Sequence, residues 1–288
     1  MNSNSKNYIQ KAFDITKENM ILAQPLVIYM IVISFTFASL AMQTNKIMHL
    51  VLLIANILLC TAFLAGWFSM IKQGLLLDKR VENGEFQKPE DRAMASWNLG
   101  KAFFPGVGDN FLNITATTLC YFVLFFALIY LFYKLGLQVL PNPNIDWNKL
   151  YTTANSSPAE LQKFIYALNF EQLKAINLWM LYVGAIGSLF TYVTLFVFPA
   201  VFDSESDKKD FFLLSPFKSF TRNIIFIFKH FVGTMGIFIF LFFLNSLLSV
   251  LSLIFNLNII LSIIGLIISF YFITYAVILI FLYYEENK

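Results

Sequence analysis

Charge is scarce in this sequence. Asp, Glu, Lys and Arg make up 13% of its 288 residues, about half of the roughly 25% that a soluble domain carries. Hydrophobic residues fill 58% and the mean hydropathy is +0.69. A soluble core of this length cannot hide that much apolar surface, so the chain needs a bilayer. Cysteine is nearly absent as well. Cys60 and Cys120 are the only two, and both fall inside apolar runs, where they read as small buried hydrophobes and not as a disulfide. The two histidines, His49 and His230, have no Cys or His neighbour at ligand spacing, which argues against a metal site. A net charge of +3 without a basic arm makes nucleic acid an unexpected partner.

What the sequence does contain is a series of apolar runs. A helix of about 20 residues crosses the hydrocarbon core, and six runs reach that length: 21–42, 48–70, 111–133, 176–201, 232–255 and 259–283. None contains Asp, Glu, Lys or Arg. The first run has 22 residues, against roughly 7–15 for the apolar part of a signal peptide, and is expected to stay as an anchor. Asn256 and Asn258 supply the tight turn that separates the last two runs. The expected fold is therefore an all-α, polytopic integral membrane helical bundle. It has six transmembrane helices plus short amphipathic interfacial helices, in a single membrane domain over residues 1–288.

Orientation follows from where Lys and Arg fall between the runs. With the N-terminus inside, Lys46, Lys134, Lys149, Lys163 and Lys174 lie outside. The other fifteen basic residues lie inside, among them Lys208, Lys209 and the three arginines, Arg80, Arg92 and Arg222. Both termini are then cytoplasmic. The excess of Lys over Arg, with much Ile, Phe and Asn, fits an AT-rich bacterial genome and hence a bacterial inner (plasma) membrane.

Three connections are long enough to hold structure. In the first, 71–110, a charged stretch gives way to an amphipathic one through Met94, Trp97 and Phe104. Pro105-Gly106-Val107-Gly108 reads as a turn before a cap at Asp109 or Asn110. In the outer one, Ser157-Pro158-Ala159-Glu160 reads as a capping box. It is followed by Leu161, Phe164, Ile165 and Leu168 at helical spacing, and Asn169 with Gln172 caps a second helix. In the last, Ser215-Pro216 starts a helix on which Lys218, Arg222 and Lys229 fall within about 40° of one another. Phe220, Ile224, Ile227 and Phe231 cluster opposite them, and Gly233 and Gly236 permit a bend into the fifth span.

That basic stripe, Lys218, Arg222 and Lys229, is the candidate contact for anionic lipid headgroups, against a plain excess of inward-facing positive charge. In the fifth span Asn245, Ser249, Ser252 and Asn256 recur on one face, and in the sixth Ser262, Gly265 and Ser269 do the same. Small and hydroxyl residues in this pattern suit a helix-packing seam better than a hydrophilic path, since none is ionisable. Gly184 and Ser188 form a further close-packing pair in the fourth span.

Chemistry is conspicuous by its absence. Ion-coupled transporters and pumps use intramembrane Asp, Glu, His or Arg, and membrane proteases need a His-Glu-x-x-His pattern or a base beside a nucleophile. The runs hold no Asp, Glu or Arg, their one histidine is His49 at the very edge of the second, and neither protease pattern occurs. The acids Glu82, Glu85 and Asp109 in the first connection read as a solvated charge run. No catalytic residue, metal or cofactor is expected.

One stretch carries a resemblance: Phe198-Pro199-Ala200-Val201-Phe202, an acidic linker, then Leu214-Ser215-Pro216-Phe217-Lys218-Ser219-Phe220 entering a long apolar helix, with a tail ending Tyr283-Tyr284-Glu285. Over roughly its C-terminal third the chain resembles a group of bacterial six-span proteins similar to the membrane domain of some glycerophosphodiester phosphodiesterases. Where that domain occurs with an enzyme, the catalytic part is separate and soluble. The resemblance thus implies a non-catalytic membrane protein and transfers no site residues. The expected function is the organisation of membrane lipids or of partner proteins. The alternative is the permease subunit of an ATP-driven transporter, partnered by an ATPase subunit. An amphipathic N-terminal helix (Ile9, Ala12, Phe13) and a helix around Trp97 are compatible with that alternative.

Overall fold

A computed structural model describes residues 3–86, 88–203, 214–255 and 257–288. Asn256, Lys208 and Lys209 lie outside the described residues. The fold is all-α, with no strand among the described residues. Six helical stretches are long and apolar enough to cross a membrane: Met20–Met42, Lys46–Glu82, Pro89–Val139, Phe170–Phe202, Phe231–Phe255 and Ile259–Asn287. Internal contacts divide the chain into two compact units, Met1–Cys120 with Val193–Lys288, and Tyr121–Tyr192.

The larger unit opens with α1 (Ser3–Glu18), a turn at Met20–Ala23, α2 (Gln24–Met42) and α3 (Lys46–Glu82). Pro25 stands in the first turn of α2, where its missing N–H has no helical partner to lose. The side chain of Asn45 caps α3 by accepting from the N–H groups of Ile47 and Met48. α4 (Pro89–Asn98) and a tight turn at Leu99–Ala102 lead into α5 (Phe103–Val139).

Here a sequence expectation is corrected. Pro105-Gly106-Val107-Gly108 is not a turn but lies within α5. Pro105 sits in the first helical turn, where it costs no hydrogen bond, and the bend occurs earlier, at Leu99–Ala102. Asn110 caps nothing. Its side-chain amide donates to the Gly106 carbonyl at 3.2 Å.

The fourth apolar run is broken. α8 (Phe170–Thr194) stops and the short α9 (Val197–Phe202) begins after a two-residue gap. The cause is Pro199, which has no N–H for the carbonyl four residues back and whose ring crowds that position. The interruption therefore falls at Leu195–Phe196. α9 is almost wholly buried, with Val197 and Ala200 fully inaccessible. Its C-terminal end is pinned: the Phe202 carbonyl accepts from Lys72 Nζ at 2.9 Å, and Asp203 accepts from the Tyr284 hydroxyl at 3.3 Å and from Lys288 Nζ at 2.7 Å.

α10 (Ser215–Lys229), α11 (Phe231–Phe255) and α12 (Ile259–Asn287) complete this unit. Asn258 caps α12 by accepting from the Leu261 N–H at 2.9 Å. The core of the unit gathers around the C-terminal half of α12. Ile278 and Leu279 are fully buried, and Phe68 meets Phe281 and Phe198 at ring distances of 5.2 and 5.4 Å. α1 lies beside that half of α12. Lys11 reaches Glu286 at 2.9 Å, Glu82 at 3.0 Å and Asp78 at 3.6 Å, so one ammonium joins three helices.

In the smaller unit the C-terminal part of α5 runs antiparallel to α8. The Tyr182 hydroxyl donates to the Phe132 carbonyl at 3.0 Å and the Trp179 indole to the Pro141 carbonyl at 3.1 Å. The connection holds two helices, α6 (Trp147–Ser156), capped by Asp146, and α7 (Pro158–Tyr166), capped by Ser157. The Ser157 cap and the reciprocal Asn169–Gln172 pair at 3.1 and 2.8 Å match the sequence expectation. α6 was not anticipated, although Trp147, Leu150, Tyr151 and Ala154 recur at helical spacing behind the Asp146 cap. Gly184 faces open space, so within this unit it makes no close helix contact.

Candidate functional site: an interfacial helix and the crevice beside it

α10 is the most amphipathic segment of the chain, and it carries three faces where the sequence suggested two. Ser219, Asn223, Phe226 and Ile227 are buried. Phe217, Ile224, Ile225 and Phe228 point outward, 67%, 42%, 59% and 78% exposed, at positions 0, 7, 8 and 11 of a helical stripe. Lys218, Arg222 and Lys229 form a third strip at helical spacing; the first two are half-buried and Lys229 is exposed. The expected apolar cluster of Phe220, Ile224, Ile227 and Phe231 is thereby corrected. Ile227 belongs to the core and Ile224 to the outer stripe.

The reason is Asn223. It is fully buried, its Oδ1 accepting from the Phe196 N–H at 2.9 Å and its Nδ2 donating to the Val193 carbonyl at 2.6 Å. These are backbone groups left open where the fourth span breaks. α10 must turn this amide inward, which rotates Ile224, Ile225 and Phe228 outward. Sequence reasoning missed Asn223. Its only signal there is a polar residue on the face that is neither basic nor most apolar.

At His230, between α10 and α11, the chain bends. Beside this bend lies a crevice of about 920 Å³, walled by α1, α11 and α12 and lined by Tyr8, Lys229, His230, Gly236, Phe243 and Asn287 among others. Of the expected basic stripe, Lys229 lines it. His230 Nε2 is buried without a hydrogen-bond partner, a condition that calls for an explanation in a folded protein. An apolar hollow of about 480 Å³ continues from it, sharing Ile9 and Phe240 and reaching Leu247 and Leu248 on α11 and Ile268 and Phe272 on α12. Among the described residues, no Asp or Glu lines either space.

The hollow exists because α11 and α12 touch closely at two glycines and separate between them. Gly233 lies so near the Tyr283 hydroxyl that a β-carbon would collide with it, and a β-carbon on Gly265 would stand 2.6 Å from the Phe255 ring. At that second contact the Ser262 hydroxyl donates to the Phe255 carbonyl at 3.0 Å.

The expected seam therefore divides. Ser262 and Gly265 sit at the α11–α12 contact, whereas Asn245, Ser249 and Ser252 are exposed on α11. The Ser249 and Ser252 hydroxyls return to carbonyls of their own helix, at 2.9 and 2.7 Å. Ser269 is exposed and bonds back to Gly265 at 2.8 Å. Two of the three loop acids are engaged in ion pairs, Glu82 with Lys11 and Glu85 with Arg80 at 2.6 Å. Among the described residues, no three His, Cys, Asp or Glu side chains gather as a metal site would require.

Comparison with protein-family models, with curated proteins and with solved structures finds no match.

Proposed function

We propose that this chain is a non-catalytic, multi-pass protein of a bacterial inner membrane that organises lipids, and through them partner proteins, with both termini in the cytoplasm. The observation that carries the reading is the three-faced α10. One face is locked to the protein core through Asn223, one presents Phe217, Ile224, Ile225 and Phe228 outward, and one carries Lys218, Arg222 and Lys229. Such a helix rests at a membrane surface with its apolar stripe among acyl chains and its basic strip among anionic headgroups. Apolar runs without Asp, Glu, Lys or Arg fit a role that moves no protons.

The test is a stability titration in detergent. Added anionic phospholipid raises the unfolding midpoint of the unmodified protein more than zwitterionic phospholipid does, because binding to the native state stabilises it. The combined Lys218→Gln, Arg222→Gln, Lys229→Gln variant loses that difference. An unchanged preference in the variant overturns the reading.

The interruption between α8 and α9 favours a second reading, the permease subunit of an ATP-driven transporter, since broken spans line translocation sites in transporters. Co-purification of an ATPase in mild detergent supports it. Its absence, with lipid alone retained, supports the first.

A further inference from the structure

We infer that the crevice between α1, α11 and α12 seats one anionic phospholipid, with its phosphate at Lys229 and His230 and an acyl chain laid along α11 toward Leu247. The inference rests on the lipid-organising reading above and names the ligand and its place.

Four observations converge on this occupant. Lys229 and His230 line the mouth, the His230 Nε2 lying buried with no hydrogen-bond partner, and Tyr8 and Asn287 line the same space. Among the described residues no carboxylate lines the crevice or its extension, which suits a phosphate. The walls then turn apolar: the extension is lined mainly by Phe, Leu, Ile and Tyr side chains. Finally, the length fits. From Gly233 to Leu247 is 14 residues, about 21 Å of helix, somewhat more than one leaflet's share of a hydrocarbon core about 30 Å thick. A headgroup without chains leaves the apolar part unfilled, and an uncharged lipid leaves Lys229 and His230 unanswered.

Gly236 gives a clean test. It lines the crevice, and a β-carbon there would meet nothing within 4 Å, so the side chain of Gly236→Phe starts in open space and is expected to fill the crevice. The full chain, extracted in mild detergent and supplied with phosphatidylglycerol and phosphatidylethanolamine, is examined by native mass spectrometry. The unmodified protein is expected to retain one phosphatidylglycerol through collisional activation. Gly236→Phe is expected to lose it, and Lys229→Gln to hold it about fivefold more weakly, the equivalent of the roughly 1 kcal/mol typical of one basic residue near a lipid surface. Glycerol phosphate, which has the headgroup charge without chains, is expected not to compete. Competition by it shows a free-phosphate site and overturns the proposal.

If Gly236→Phe and Lys229→Gln retain the lipid as well as the unmodified protein does, the crevice is not its seat, although the wider reading stands. If the unmodified protein retains neither lipid selectively, both fall. Should Gly236→Phe fail to fold, the Lys229→Gln occupancy decides alone.

Discussion

The side-chain amide of Asn223 accepts a hydrogen bond from the backbone N–H of Phe196, 27 residues away, at 2.9 Å. With the companion bond to the Val193 carbonyl at 2.6 Å, it closes a break in the fourth span and orients the whole of α10. A proline in an apolar run, an asparagine on the next helix and the outward turn of Ile224, Ile225 and Phe228 are thus one structural event. The discontinuous helix is stable because its open backbone groups are answered from outside it.

Replacing Asn223 by Leu keeps the volume and removes both bonds. It orphans a buried N–H and a buried C=O, at about 1–3 kcal/mol each. The variant is expected to lose several degrees of thermal stability in detergent, measured by scanning fluorimetry. Asn223→Asp, which sets a carboxylate oxygen against the Val193 carbonyl in a fully buried position, is expected to lose at least as much. Equal stability of Asn223→Leu and the unmodified protein contradicts the capping role.

The contact between α11 and α12 at Gly265 and Phe255 has no room for a side chain. Gly265→Val is expected to destabilise by about 1–3 kcal/mol, typical of overpacking. The double variant Gly265→Val, Phe255→Ala is expected to recover part of that loss. A double-variant cycle with no coupling shows that the two helices do not meet there.

Lys11 is held above the ordinary lysine range. Burial works against its charge, but the hydrogen bonds and charges of Glu286 and Glu82 outweigh burial. The folded form therefore binds this proton more tightly than the unfolded chain does. Its stabilisation is complete below the unfolded lysine value of about 10.4 and falls away as pH rises from there through the raised folded value. The stability gap between the unmodified protein and Lys11→Met is expected to be constant from pH 7 to about 9 and to shrink above about 10.4. A gap that widens with alkalinity has the wrong sign for this arrangement.

Much of the fold was legible because a bilayer imposes a minimum length on each apolar run. The six runs, the break between the last two at Asn258 and the caps at Ser157 and Asn169–Gln172 are local signals, and the structure contains them. The corrections are all non-local. Pro105 and Pro199 are the same residue type in apolar surroundings. One opens a helix and the other interrupts a span, and only the position relative to the preceding turn distinguishes them. The rotation of α10 depends on which backbone groups Asn223 finds, which spacing along the chain does not encode. The candidate site was half visible. Lys229 stood out by its charge pattern, whereas His230 and Gly236 acquire meaning only when α1 and α12 close around them.

The outward stripe of α10 makes a prediction about depth. After Cys60 and Cys120 are replaced by Ala, a polarity-sensitive probe on Phe228→Cys is expected to report an acyl-chain environment in proteoliposomes, and one on Thr221→Cys, which shares this face, a similar one. A water-like signal at both positions means that α10 stands away from the membrane.

The account depends most on six helices crossing lipid, with the two termini on one side and the connection holding α6 and α7 on the other. In the same cysteine-free background, single cysteines at Lys17, Lys163 and Lys288 are labelled in intact cells by a membrane-impermeant maleimide. The expected result is labelling at 163 alone, with 17 and 288 reacting only after the membrane is opened. Labelling of 17 and 163 from the same side contradicts the six-span arrangement.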